Sequence, residues 1–138
     1  MGITFAKAQL SNPRRPRTRP RTLDFLVDTG AIYSVVPASV LRALGIRRLE
    51  REEFVLADGT KQTYDVGEAF FRLDSKVGTS KVIFAPEGVT PLLGALTLES
   101  LGLMVNPVTR EISPMRLILA SGSPGTARRW RSRKRRTG

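Results

Sequence analysis

Apolar residues in this chain recur mostly at every second position, in short runs broken by Gly, Pro, Asn and Asp. That period predicts β-strands with one buried face. Such runs extend from Ile3 to Leu10, Thr22 to Val27, Glu53 to Leu56, Lys61 to Val66, Val66 to Leu73, Val77 to Ala85 and Leu103 to Asn106, with a short strand at Ile112 and a final one from Met115 to Ala120. Asp74-Ser75-Lys76 and Asn106-Pro107 mark turns, and Ala57-Asp58-Gly59-Thr60 carries the Asp-Gly signal of a tight hairpin. Helical spacing occurs twice. Pro37 to Leu44 is expected to bury Val40, Leu41 and Leu44 and to stop at Gly45; a second short helix after Gly94 has Leu98 and Leu101 on one face and stops at Gly102.

Charge changes this picture at two places. The 138 residues carry a net charge of +11, which at face value suggests a nucleic-acid binder. Residues 13–21 hold five arginines and no acid, and residues 127–138 hold seven basic residues and no acid, whereas residues 22–120 hold ten Lys or Arg against twelve acids. The main body is therefore nearly neutral, with the excess on two appendages. Three prolines make residues 13–21 read as an exposed, extended loop. Beyond the Gly/Ser/Pro-rich spacer 121–126, Arg128 to Arg136 is expected to be disordered. That tail is either solubilising or a contact to an acidic partner such as nucleic acid, with Trp130 available for stacking.

Cys and His are absent. This removes disulfides, thiol nucleophiles and Ser-His-Asp triads, leaves no usual zinc-ligand set, and makes carboxylates the credible catalytic groups. No cofactor or metal is expected. No apolar run approaches a membrane span, and the expectation is a soluble cytoplasmic protein.

One carboxylate stands out. Leu23, Phe25 and Val27 alternate along a strand that runs into Asp28-Thr29-Gly30-Ala31. A carboxylate at the end of a buried strand is costly unless something holds it. Thr29 can hydrogen-bond across the turn, Gly30 permits close approach and unusual backbone angles, and Ala31 is too small to crowd the site. By itself Asp-Thr-Gly is equally an ordinary strand end and turn. A second signal accompanies it: Leu92-Leu93-Gly94 leads into a short helix, with Gly94 lying 66 positions after Asp28.

With both motifs in this order, residues 3–120 resemble the retropepsin-like (clan AA) aspartic proteases, in particular their small single-motif bacterial and archaeal members. The resemblance implies a closed retropepsin-like β-barrel, formed by a domain over residues 1–120 that includes the basic loop, followed by the tail 121–138. It implies an aspartic endopeptidase with Asp28, Thr29 and Gly30 as catalytic residues. One motif per chain then requires a homodimer that brings two Asp28 side chains together. In that family Thr29 bonds across the dimer axis, and the hairpin at Leu56, Ala57, Asp58, Gly59 and Thr60 aligns with the flap that closes over a peptide substrate. Ala31, Leu93 and the flap would line the subsites, and the final strand would join the two subunits. Two other readings stand beside this one: a non-catalytic module of the same fold that contacts nucleic acid through its basic tail, and a purely structural dimer.

Overall fold

The computed structural model describes residues 4–115. Its elements are β1 (Phe5–Ser11), β2 (Arg21–Val27), β3 (Ser34–Pro37), α1 (Ala38–Ala43), β4 (Glu50–Val55), β5 (Lys61–Leu73), β6 (Lys76–Ala85), β7 (Leu92–Leu93), α2 (Ala95–Ser100), β8 (Leu103–Val105) and β9 (Ile112–Pro114). The expected mostly-β composition with two short helices is present. The expected strand from Met115 to Ala120 falls outside the described residues from position 116 on, as does the tail 121–138.

Seven strands form one sheet in the order β1-β2-β7-β3-β6-β5-β4, and β1 also pairs with β5 through Gln9 to Ser11. The pairings of six strands thus return to where they began, which leaves those strands few open edges. Strands β8 and β9 form a separate two-stranded sheet. Inside the circuit, Phe25 of β2 packs against Phe71 of β5 with ring centroids 6.0 Å apart, and Leu10, Val36, Leu41, Val82 and Leu93 are fully buried. Each such side chain contributes about 1.5–3 kcal/mol through burial.

Two features depart from the alternation pattern. The runs Lys61 to Val66 and Val66 to Leu73 are one continuous strand of 13 residues, whose first half pairs with β4 and whose second half pairs with β6, with Val66 at the changeover. Residues 12–20 are not extended. The buried Asn12 accepts Arg14 N–H on Oδ1 at 2.9 Å, its Nδ2 donates to Leu44 O at 3.1 Å, and backbone bonds from Arg15 N–H to Asn12 O and from Thr18 N–H to Arg15 O close two successive turns. Satisfying these backbone groups locally outweighs the extended preference of the prolines.

Helix α1 ends as its sequence implies. Gly45 has φ of +75°, and bonds from Gly45 N–H to Arg42 O and from Ile46 N–H to Leu41 O form the paired closure of a Schellman turn.

Candidate active site

Asp28 is positioned by two parallel strands that end together. β2 pairs in parallel with β7, Leu26 opposite Leu92 and Val27 opposite Leu93, and Asp28 N–H continues the ladder by donating to Leu93 O at 3.0 Å. β7 lies between β2 and β3, so both motif strands are held in the sheet rather than at its margin. The end of β2 brings Asp28 beside Leu93 and Gly94.

Within the turn, Asp28 Oδ1 accepts Gly30 N–H at 2.9 Å, and Ala31 N–H donates to Asp28 O at 3.2 Å. A Cβ on residue 30 would stand 3.2 Å from Asp28 Oδ1. Gly30 does not have positive φ; its value here is the room that it leaves over the carboxylate. Asp28 is half-buried, and among the described residues its Oδ2 has no hydrogen-bond partner. The geometry holds one carboxylate oxygen by the turn and leaves the other turned away from it. Thr29 is exposed, and among the described residues its hydroxyl bonds to nothing across the turn.

The second motif braces the first. Helix α2 has no side-chain cap; instead Ala95 N–H donates to Ala31 O at 2.8 Å and Leu96 N–H to Ile32 O at 3.0 Å. The unpaired amides at the start of the helix are thereby used to hold the Asp28 loop. Gly94 fits closely against that loop: a Cβ there would lie 2.6 Å from the carbonyl carbon and oxygen of Tyr33. Gly94 N–H donates to the hydroxyl of Ser34 at 2.9 Å, and Ser34 bonds to Thr97, which bonds to Ser80 at 3.0 Å. All three hydroxyls are buried. Among the described residues no buried side-chain N or O is left without a partner.

Ser34, Thr97 and Ser80 were not among the expected site residues, because their link joins three segments far apart in sequence. Leu93 corrects one expectation. Its side chain is fully buried in the core and cannot line a cleft; its contribution is the carbonyl that anchors Asp28.

The hairpin forms at the expected place. Leu56 N–H donates to Thr60 O at 2.7 Å, Gly59 has φ of +86°, and Asp58 Oδ1 accepts from both the amide and the hydroxyl of Thr60. The Thr60 hydroxyl bond, together with its amide, holds the Asp58 carboxyl below its ordinary value. Residues Leu56 to Thr60 are all exposed. Among the described residues, no hydrogen bond or ion pair joins this tip to the Asp28 turn.

The hairpin meets the Asp28 loop nearer its base. Tyr33 OH donates to the Glu52 carboxylate at 3.2 and 3.3 Å, its ring stacks edge-on against Phe54 at 5.7 Å, and Phe54 continues to Tyr64 at 5.9 Å. Lys81 Nζ stands 5.4 Å from the centre of the Tyr33 ring and bonds to Glu50 at 2.8 Å. Glu50, Glu52 and Phe54 alternate on β4, so their side chains share a face. That spacing is the sequence signal that could have linked them to Tyr33.

On the other side of Asp28 a cavity of about 180 Å³ is lined by Thr4, Leu26, Val27, Asp28, Thr29 and Arg110. Thr4 Oγ1 donates to Arg110 O at 2.7 Å, and Arg110 has φ of +64°. The arginine therefore shares a cavity with the candidate catalytic carboxylate.

Residues 19–100 match the family described as gag-polyprotein putative aspartyl protease. No curated protein sequence matches the chain. Among solved structures, it is similar to the simian foamy virus (mac) protease in solution, with 18% identity and a TM-score of 0.50 over 70% of this chain and 92% of that one. It is also similar to the prototype foamy virus protease-reverse transcriptase, with 15% identity and a TM-score of 0.50. That match covers 94% of this chain but 14% of the viral one.

Proposed function

The chain belongs to this gag-polyprotein aspartyl protease family, and from that premise we propose that it is an aspartic endopeptidase, active as a homodimer that pairs two Asp28 carboxylates. The observation that carries the reading is the mounting of Asp28: a carboxylate at the joined ends of β2 and β7, with Oδ1 held by Gly30 N–H and Oδ2 unpartnered among the described residues. Two such groups at close range share one proton, because the doubly ionised pair is repulsive. The ionised member takes a proton from water, whose oxygen attacks the peptide carbonyl carbon, while the protonated member donates to the carbonyl oxygen. The tetrahedral adduct then expels the amine, which leaves with a proton returned by the acid pair. No covalent acyl-enzyme forms.

In the proposed dimer Thr29, exposed in the single chain, bonds with the second copy, and Gly30 leaves space for the substrate backbone. The apolar side chains of Phe5 and Ile32 are 59% and 66% exposed on segments bonded to the Asp28 strand or its loop, which gives a second copy surface to bury. The circuit of strand pairings supports a closed barrel. Ala31 and the hairpin tip, Leu56 to Thr60, are the proposed peptide-facing residues.

Cleavage of an unstructured protein substrate, followed between about pH 3 and pH 7, tests this proposal. Asp28→Asn should lower kcat by about 10³-fold or more, because the substitution removes the proton-transfer group. Undiminished cleavage by that variant would overturn the mechanism.

A further inference from the structure

A second charged feature lies away from Asp28. The turn segment after β1 carries Arg14, Arg15, Arg17 and Arg19, Arg21 follows as the first residue of β2, and the neighbour of the segment across a cavity of about 320 Å³ is Arg47. Among the described residues none of these six forms an ion pair, although Lys7, Arg48, Arg51, Lys61 and Lys81 each meet a carboxylate. Glu68 is the one carboxylate lining that cavity. Concentrating like charge in this way is unfavourable to the folded chain unless an anion offsets it.

The segment is also built. A merely solubilising stretch needs no buried anchor, yet Asn12 is 5% exposed and its side chain bonds both to the end of α1 and to the Arg14 amide. The two turns that follow fix the backbone that carries Arg14, Arg15 and Arg17, so less ordering entropy is lost when a ligand binds.

We propose that this face binds the phosphate backbone of nucleic acid without regard to base sequence. Guanidinium groups match phosphate oxygens with paired hydrogen bonds. Between Asn12 and Arg21 the side chains are Pro, Arg and Thr only. The segment itself offers no large apolar group to enter a bilayer and no aromatic ring to stack on a base, and beside it stand only the single exposed Leu49 and the half-buried Phe70, which favours backbone contact over a lipid surface or base readout. The inference does not rest on the protease reading, and peptide cleavage is not its readout.

The test is equilibrium binding of labelled single-stranded DNA to the full chain across a salt series. In one variant Arg14, Arg15 and Arg47 are changed to Gln, in a second Arg17, Arg19 and Arg21, and in a third the tail residues Arg128, Arg129 and Arg131. Each of the first two should weaken binding by about tenfold or more at low salt and reduce the slope of log affinity against log salt by about 2. Thermal melting checks that the variants are folded, and the second set, whose residues make none of the turn bonds, keeps the test valid if the first destabilises the turns. Retained affinity and slope in both folded loop variants would overturn the proposal, as would loss confined to the tail variant. Equally tight, loop-dependent capture by phosphatidylserine vesicles would also overturn it, by identifying a lipid surface as the ligand.

Discussion

Gly94 and Ser34 show how single atoms set the site. The backbone of Tyr33 passes so close to Gly94 that a methyl group there would overlap it at 2.6 Å, and backbone cannot yield as a flexible side chain can. Gly94→Ala should cost about 3 kcal/mol. Ser34→Ala removes the hydroxyl that accepts Gly94 N–H and leaves that buried amide unpaired, at a cost of about 2 kcal/mol. Urea denaturation measures both, and an unchanged midpoint for Ser34→Ala would show that the hydroxyl link contributes nothing. Asp28, Gly30 and Gly94 were legible because each belongs to a contiguous motif, Asp28-Thr29-Gly30 or Leu92-Leu93-Gly94. The Ser34, Thr97 and Ser80 link was not, since single hydroxyl residues carry no periodicity and meet only when β3, α2 and β6 converge.

At the scale of elements, long alternating runs were readable, as were β8 and β9 beside the Asn106-Pro107 turn, whereas β3 and β7 were not. β3 has four residues and β7 two, and each owes its conformation to neighbours distant in sequence: Val35 lies opposite both Leu92 and Ile83. Too few residues remain within either strand for alternation to emerge. The hairpin formed where Asp58-Gly59 predicted, but its attachment to the Asp28 loop depends on Tyr33, Glu52 and Phe54, a tertiary contact between elements. If that attachment restrains the hairpin, Tyr33→Phe and Glu52→Ala should each speed trypsin cleavage after Lys61 by several-fold, with the double variant little faster than either alone. Fully additive rates would mean that the hydroxyl and the carboxylate act independently, and unchanged rates in both variants would mean that the aromatic packing alone secures the hairpin.

For the molecule as a whole, the proposed acid pair makes assembly depend on charge. Two ionised carboxylates about 4 Å apart repel by about 4 kcal/mol at an effective dielectric constant near 20, so copies joined through Asp28 must hold a proton between them or separate. Association of the proposed dimer should therefore take up a proton and weaken as pH rises toward neutrality. Asp28→Asn removes both charges while keeping nearly the same shape. Its dimer should therefore be about tenfold tighter than wild type near pH 7, with a dissociation constant almost independent of pH between about 4 and 7. This opposes the expected loss of activity, so one substitution separates assembly from chemistry. Sedimentation across a concentration series reads the first, and peptide cleavage reads the second. The same pH trend in both proteins would place the two Asp28 groups too far apart to interact, while a lone subunit at every concentration would remove the second acid on which hydrolysis depends.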